Sequence, residues 1–179
     1  MRLHETEITE ILIIEPSPYE DERGYFYESF NAAEFERLTG IRKTFVQDNH
    51  SRSGRNVLRG LHYQAAPKAQ GKLIRVVGGA IFDVAVDVRA GSPTCGKWVG
   101  RVLSSENRLQ LWIPEGFAHG FLALTDVVDV LYKATDYYSP DHERSIRWDD
   151  SELSIKWPLH ESPIVSDKDR NARNFAPVE

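Results

Sequence analysis

The sequence contains one cysteine, no basic run and no long apolar segment, and each scarcity excludes a class of protein. A single thiol, Cys95, excludes an intrachain disulfide and a multi-thiolate zinc site, and it is typical of a reducing compartment. The 22 Lys and Arg residues are outnumbered by 27 Asp and Glu residues, which argues against a nucleic-acid partner. No stretch approaches the roughly 18 apolar residues that span a bilayer. We therefore expect a soluble, cytoplasmic protein without a membrane partner.

The length and the apolar content predict a single domain. A chain of 179 residues has the usual size of one domain, and 41% hydrophobic residues suffice for a core without disulfides or a structural metal. The sequence has no internal repeat and no linker-like change in composition. We expect one domain over residues 1–179.

Short alternating segments dominate the chain. Residues 80–89 show the clearest pattern, in which two series of side chains alternate with the period of two that is typical of a strand. Similar short runs, separated by turn residues, occur at residues 10–14, 24–30, 43–49, 72–77, 98–103, 108–113, 117–124 and 127–134.

One helix is predicted, from about Ala32 to Leu38. Asn31 is placed as its N-cap, Glu34 as the partner in a capping box, and Gly40 lies just past its end. Many short strands with almost no helix favour an antiparallel sandwich or barrel. We predict an all-β fold, a double-sheet jelly roll (double-stranded β-helix) with a few short helices.

Basic and polar side chains gather in three stretches of the chain, residues 46–51, 58–64 and 70–75. In a regular strand, Arg59 and His62 have opposite parity and point to opposite faces. Gly60 between them predicts a β-bulge, which can redirect a side chain near a site. Position alone does not assign a function to His62, because a lone histidine is more often a structural group.

The segment Pro114–His119 has the Pro-x-Gly-x-x-His spacing of the second cupin motif, which favours a cupin-like barrel. Many cupins bind a metal through a His-x-His pair, a following glutamate and the histidine of this motif. Here the pair reads His62-Tyr-Gln64, and Lys72 lies near the expected acid. An amide is a poor ligand for a transition metal and an ammonium repels a divalent cation, so we expect no metal.

Seven segments carry a more specific resemblance, and they span residues 21–28, 47–49, 58–62, 70–73, 83–89, 114–121 and 166–169. In these segments, in order and spacing, the chain resembles the dTDP-4-dehydrorhamnose 3,5-epimerase family. Members invert both carbons beside the ketone of a thymidine-diphosphate-linked 4-keto-6-deoxyglucose, without a cofactor. The resemblance implies an isomerase of dTDP-L-rhamnose biosynthesis, which supplies rhamnose for surface polysaccharide.

Proton removal beside a ketone requires three kinds of group: a base, a cation or hydrogen-bond donor at the ketone oxygen, and an acid on the opposite face. The resemblance implies that His62 is the base and that Asp169 orients its ring, as in a hydrolase triad. It places Lys72 beside the ketone oxygen. Tyr132 matches the acid that returns a proton from the other side.

The resemblance also implies a set of substrate-binding residues. Arg23, Arg59 and Lys168 match positions near the diphosphate, whose oxygens suit cationic side chains. Tyr138 matches an aromatic ring that stacks on thymine. The other members of the set are Phe26, Glu28, Gln47, Asp48, Asn49, His119 and Glu143. In the family, the segment with Arg23 and Glu28 reaches the neighbouring subunit's site, so a homodimer is implied.

Three other interpretations remain open. A relative that inverts only one of the two carbons would share the same four catalytic residues. A catalytically silent cupin would bind a nucleotide sugar, although binding alone needs neither a base nor an acid. A metal-dependent cupin enzyme is the third, and Gln64 and Lys72 argue against it.

Overall fold

The computed structural model describes residues 1–178, and its two large antiparallel sheets pack face to face. In chain order the elements are β1 (Arg2–Glu5), β2 (Leu12–Glu15), β3 (Tyr19–Asp21), β4 (Gly24–Phe26), α1 (Ala32–Thr39), β5 (Gln47–Gly54), β6 (Leu58–Gln64), β7 (Lys72–Gly78), β8 (Ala80–Asp87), β9 (Trp98–Ser104), β10 (Gln110–Ile113), β11 (Phe117–Ala123), β12 (Val127–Ala134), a short 3-10 helix (Pro140–His142), β13 (Glu143–Ser145) and α2 (Asp167–Arg170).

The two sheets have the connectivity of a jelly roll. The first sheet has the strand order β1-β2-β10-β7-β12-β5, and the second has the order β13-β6-β11-β8-β9. From β5 to β13 the chain changes sheet at each connection between strands except β8–β9, where the two strands are paired neighbours. The structure therefore confirms the predicted all-β, double-sheet jelly roll. Strands β3 and β4 form a separate two-stranded hairpin.

The core lies between the two sheets, and strand β8 shows how the alternating pattern forms it. Ile81 and Ala85 point inward and pack with Ile74 of the first sheet, all three fully buried. Val84 and Val86 occupy the opposite face and are buried under the C-terminal part of the chain. Both faces of this strand are therefore covered by protein, which explains why apolar residues occur in both of its alternating series, all four in one and Ile81 and Ala85 in the other.

Helix α1 confirms the predicted helix and ends where its sequence signals place it. The side chain of Asn31 accepts hydrogen bonds from the amides of Ala33 and Glu34, and Gly40 adopts a left-handed conformation with φ 71°. The predicted role of Glu34 as the partner in a capping box is wrong, because its carboxylate pairs with Arg37 in the next turn. No helix within residues 1–178 is long and apolar enough to cross a membrane.

Two predicted strands are displaced. The run predicted at 43–49 is replaced by β5, which begins at Gln47 and continues to Gly54. This strand carries polar side chains on both faces, so no apolar alternation marks it in the sequence. The strand predicted at 24–30 ends at Phe26, and Phe30 instead packs edge-on against the ring of Phe45.

Candidate active site

A cavity of about 470 Å³ opens between the two sheets, next to α2. It collects all four residues predicted to be catalytic, His62, Lys72, Tyr132 and Asp169, together with the predicted binding residues Arg59, His119, Tyr138, Glu143 and Lys168. These side chains come from both sheets and from the C-terminal segment, so the fold brings together residues that are distant in the sequence.

A β-bulge at Gly60 brings Arg59 and His62 to the same cavity. His62 lies opposite His119 on β11, whereas Arg59 lies opposite Phe121, so three steps on β6 face two steps on β11. The extra residue cancels the opposite parity expected for a regular strand, and both side chains line the cavity. Gly60 has φ 119°, and a Cβ there would lie 2.6 Å from the Cα of Gly120. The predicted bulge is confirmed.

His62 and Asp169 form a hydrogen-bonded pair across 107 residues of sequence. Imidazole Nε2 lies 2.5 Å from Asp169 Oδ1, and the amide of Gly60 donates to Oδ2 at 3.3 Å. Burial raises the pKa of the Asp169 carboxyl. The hydrogen bond and charge of His62 and the hydrogen bonds with Gly60 and Ser166 lower it, and together they outweigh burial, so the pKa lies below its usual value. A charged Asp169 accepts from Nε2–H and leaves Nδ1 as the ring nitrogen that can take a proton.

Helix α2 places Asp169 beside the histidine. Its N-cap, Ser166, accepts a hydrogen bond from the Asp169 amide at 3.1 Å. The Ser-Asp-Lys-Asp sequence is the kind of signal that marks a helix start, although no helix was predicted here.

Lys72 brings an ammonium group into the cavity from the start of β7. Its Nζ lies 3.5 Å from the carbonyl oxygen of His62, and it forms no salt bridge with any residue from 1 to 178. Burial lowers the pKa of Lys72 to about 8, opposed by the charges of Glu143 and Asp83 and reinforced by that of Lys168. Near neutral pH the group therefore remains largely cationic and can stabilise negative charge nearby.

Tyr132 enters the cavity from the sheet opposite to His62. It lies on β12, next to Asn49 of β5, and the Lys72 ammonium is 6.0 Å from its ring centroid. Burial and the negative charge of Glu143 raise the pKa of the phenol, although Arg59 opposes this. The side chain is therefore a neutral phenol at physiological pH and has a proton to donate.

The mouth of the cavity carries a linked group of polar side chains. Glu143 accepts hydrogen bonds from Lys168 at 2.7 Å and from the Tyr138 hydroxyl at 2.8 Å. Burial raises the pKa of the Glu143 carboxyl, but these two donors outweigh burial and keep the pKa below its usual value. Tyr138 remains 54% exposed, so its side chain is accessible to a ligand at the cavity mouth.

No function was predicted from the sequence for Ser51, in the cavity wall, and Asp83, which binds the cavity residue His119. Asp83 is fully buried on β8, and its Oδ1 lies 2.7 Å from Nε2 of His119. Ser51 lines the cavity, and its buried hydroxyl has no hydrogen-bond partner within residues 1–178. For Asp83 the signal was present, because it is a charged residue in register with the inward-facing Ile81 and Ala85.

Three predicted binding residues on β5 have different positions. The Gln47 side chain accepts from the amide of Tyr138 at 2.9 Å and donates to Asn49 at 3.0 Å, which connects both to a residue of the cavity mouth, but neither side chain lines the cavity. Asp48 lies between them on the opposite face of the strand, where its carboxylate binds Lys133 at 3.0 Å. The structure does not bring the Asp48 side chain to the cavity.

The remaining predicted residues lie on or next to the β3–β4 hairpin. Arg23 is paired with Asp21, and Phe26 is 74% exposed. Glu28 follows the hairpin and accepts a hydrogen bond from Asn31. None of these side chains lines the cavity within the described chain.

The positions that the cupin motif would give to metal ligands are occupied differently here. The amide of Gln64 donates to the carbonyls of Lys68 and Tyr137 and accepts from the amide of Ser139, so it connects backbone segments. Throughout residues 1–178, no three His, Cys, Asp or Glu side chains are grouped as a candidate metal site.

The chain is similar over nearly its whole length to proteins of one family. The family model described as dTDP-4-dehydrorhamnose 3,5-epimerase matches residues 5–177. The dTDP-4-dehydrorhamnose 3,5-epimerase of Pseudomonas aeruginosa is 54% identical over 172 residues, which cover 96% of this chain and 94% of that protein.

Solved structures agree in fold and sequence. The dTDP-6-deoxy-D-glucose-3,5-epimerase of Legionella pneumophila Philadelphia 1, in complex with dTDP-4-keto-L-rhamnose, gives a TM-score of 0.95 at 55% identity, covering 97% of this chain and 92% of that one. ChmJ, a 3'-monoepimerase from Streptomyces bikiniensis in complex with dTDP-quinovose, gives 0.91 at 35% identity, covering 96% and 87%. The chain belongs to the dTDP-4-dehydrorhamnose 3,5-epimerase family.

Proposed function

We propose that this isomerase converts dTDP-4-keto-6-deoxy-D-glucose to dTDP-4-keto-L-rhamnose, by inverting the two carbons beside the ketone, as a step of dTDP-L-rhamnose biosynthesis. The observation that carries the proposal is the placement of the His62–Asp169 pair on one wall of the cavity and of Tyr132 on the other, with Lys72 beside both. A sugar ring held between the walls has a base on one face and an acid on the other.

His62 begins the reaction as the base. Asp169 holds the Nε2 side of the ring, so Nδ1 takes the proton from the carbon beside the ketone. The buried carboxylate then stabilises the imidazolium that forms, as in a hydrolase triad. The electron pair of the broken C–H bond moves toward the ketone oxygen and gives an enolate.

Lys72 stabilises the enolate oxygen. An ammonium group in a partly dry cavity interacts strongly with developing negative charge, and it is already in position before the reaction. A pKa of about 8 keeps most of the lysine cationic near neutral pH.

Tyr132 completes each inversion. Its phenol gives a proton to the same carbon from the opposite face, the C=O bond re-forms, and the configuration is inverted. Solvent returns a proton to the tyrosinate and removes one from the imidazolium, so the net reaction is an isomerisation. Repetition at the second carbon gives the double inversion.

The charged and aromatic groups at the cavity mouth suit the nucleotide. Arg59 and Lys168 supply positive charge for the diphosphate, and the exposed ring of Tyr138 can stack on the base. Gln47 and Asn49 supply further polar groups at the same side. His119 and Glu143 can hydrogen-bond the ligand within the cavity. Asp48 stays a prediction from the resemblance, because its carboxylate is engaged by Lys133.

The same proposal includes a homodimer in which the β3–β4 hairpin supplies Arg23, Phe26 and Glu28 to the partner's cavity. The hairpin pairs only with itself among the described strands, and it exposes 78% of Tyr19 and 74% of Phe26. Exposed aromatic side chains of this kind often mark protein contacts. The proposal further includes one domain, a cytoplasmic location and a reaction without a metal, a cofactor, a nucleic acid or a membrane.

Mixing two inactive variants tests the shared site. In a dimer of one Arg23→Ala chain and one His62→Ala chain, one cavity has an intact histidine and an intact partner hairpin, whereas the other lacks both. Subunit exchange of equal amounts should recover about a quarter of wild-type activity, because about half of the dimers are mixed and each has one intact site. Absence of recovery after demonstrated exchange would contradict the shared site.

Proton NMR in deuterated water tests the reaction itself. Protein without added metal or cofactor is incubated with dTDP-4-keto-6-deoxy-D-glucose, and the signals of the two protons beside the ketone are followed. Loss of both signals with formation of the L-rhamno product supports double inversion. Loss of one supports the single-carbon alternative, for which ChmJ, a 3'-monoepimerase at 35% identity, is a structural precedent. Loss of neither signal would leave the catalytically silent cupin that only binds a nucleotide sugar. If metal restored turnover after treatment with a chelator, the protein would instead be a metal-dependent enzyme.

A further inference from the structure

A second histidine–carboxylate pair lies beside the His62–Asp169 pair. His119 is the direct neighbour of His62 across the β6–β11 pairing, and its Nε2 is 2.7 Å from Asp83 Oδ1. Asp83 is 0% exposed, and its second oxygen, Oδ2, has no hydrogen-bond partner within residues 1–178. A carboxylate in this position is costly unless cationic groups compensate it.

We propose that Asp83 is a positioning residue of this site, which fixes the ring of His119 and places a buried negative charge behind the part of the cavity that holds Lys72. The inference rests on the proposed epimerase function and deepens it. Asp83 makes no contact with substrate in this role and acts through its two neighbours.

The effect on His119 follows from the hydrogen bond. A charged carboxylate accepts only, so His119 must donate from Nε2, which leaves Nδ1 as the ring nitrogen available to the ligand. The His119 side chain is 10% exposed, and its partner Asp83 is completely buried, so water competes little for this bond. The ring is therefore held in one tautomer and one orientation before the substrate enters.

The effect on Lys72 follows from position and charge. Its Nζ lies 3.5 Å from the carbonyl oxygen of His62, and His62 lies opposite His119, the residue that Asp83 holds. Titratable and charged groups reach the surroundings of Lys72 from every neighbouring element. The second sheet supplies Arg59 and His62 on β6, Asp83 on β8, His119 on β11 and Glu143 on β13. The others are Tyr132 on β12, Tyr138 before the 3-10 helix, and Lys168 and Asp169 on α2. Only Glu143 and Asp83 raise the pKa of Lys72 against the effects of burial and Lys168. Glu143 already binds Lys168 and Tyr138, whereas Asp83 has a free oxygen.

Asp83→Asn tests both effects, because it keeps the shape of the side chain and removes its charge. We expect kcat/KM to fall about ten- to hundredfold, the loss of one hydrogen bond to a charged group. The alkaline limb of the kcat/KM profile should move to lower pH by at least about half a unit, since the ammonium loses a nearby counter-charge. Asp87→Asn is the matched control, because Asp87 is equally buried on the same strand but binds Arg89, Ser92 and Thr94 away from the cavity.

Two-bond ¹H–¹⁵N spectra of the histidine rings provide a readout that needs no turnover. In the wild-type protein, with signals assigned through a His119→Gln variant, we expect His119 to carry its proton on Nε2. A ring protonated only at Nδ1 would overturn the proposal even if Asp83→Asn failed to fold. An unmoved alkaline limb in folded Asp83→Asn would also overturn it. If wild-type protein exchanged neither substrate proton, the epimerase proposal would fail, and the His119 spectrum alone would decide this inference.

Discussion

Replacing Asp169 by asparagine should reduce kcat by about 10²- to 10⁴-fold while the fold is retained. The substitution keeps the size of the side chain but removes the charge that accepts from His62 Nε2 at 2.5 Å. An asparagine can present its NH₂ group to the imidazole, which favours the wrong tautomer and places the proton on Nδ1. Both effects act on the base in the proposed mechanism.

The magnitude follows from the contacts of the carboxylate. A hydrogen bond to a charged group contributes about 1.5–3 kcal/mol, which corresponds to roughly 10- to 150-fold in rate. Loss of the correct tautomer adds to this, and an aspartate-to-asparagine change in a hydrolase triad costs about 10⁴-fold. Because the Asp169 side chain is only 4% exposed, solvent screening is small.

The assay is the rate of proton exchange beside the ketone, measured by NMR under saturating substrate. Asp167→Asn is the matched control, since its side chain lies two residues away on α2, is 92% exposed and makes only a 3.6 Å contact with Arg170. It should retain nearly full activity. If Asp169→Asn were as active as Asp167→Asn, His62 would not depend on this carboxylate and the proposed dyad would be rejected.

A second readout of the same variant is stability against pH. The folded-state pKa of Asp169 is below its usual value, so its contribution to stability is present above the unfolded-state pKa and is lost as pH falls through the folded-state pKa. The stability difference between wild type and Asp169→Asn should therefore be full near pH 7 and shrink below about pH 4. A difference that is constant from pH 7 to pH 2 in denaturant titrations would contradict this assignment.

Three further predictions concern other parts of the site. Tyr132→Phe should still exchange the protons beside the ketone with deuterated solvent but should form little inverted product. NMR measures proton exchange and product formation separately, and normal product formation would exclude Tyr132 as the acid. For the wild-type protein, kcat/KM should fall as pH rises through about 8, because Lys72 must be protonated, and a profile flat to pH 10 would argue against its role. Gly60→Ala should lower the free energy of unfolding by about 2–4 kcal/mol, because its Cβ meets the Gly120 backbone. Gly24→Ala, at a φ of 118° with open space around it, should cost only about 1 kcal/mol in the same denaturant titrations, and equal losses would show that the contact is unimportant.

Much of the jelly roll could be predicted because its strands carry an apolar signal of period two. Strand β8 is the clearest example, since each of its faces contacts a different apolar layer. Strand β5 could not be placed in the same way. Its inward side chains, Gln47, Asn49, Ser51 and Ser53, are all polar. Ser51 lines the cavity, Ser53 accepts from Arg59, and Gln47 accepts from the amide of Tyr138, so the site itself removes the signal that would locate the strand.

The bulge at Gly60 shows how far a local pattern leads. The glycine between Arg59 and His62 correctly indicated an irregularity, but its consequence depends on β11, which lies about 60 residues further along the chain. Gly120 leaves room for the close approach, and the register shift then directs both side chains into the cavity. The pairing of two glycines across a sheet is a tertiary fact that neither strand specifies alone.

The two histidine–carboxylate pairs differ in what the sequence makes visible. Asp169 is an ordinary acid near the C-terminus until the fold carries it across 107 residues to His62, and only the resemblance indicated its role. Asp83 carries a signal of its own, because an acid in register with Ile81 and Ala85 must lie inside the barrel. A charge is retained in such a place only when a partner compensates it, and here the partners are groups of the site. The partner decides the interpretation of such an acid: Asp87, equally buried in the same series, binds Arg89, Ser92 and Thr94 away from the cavity, whereas Asp83 binds His119 of the site.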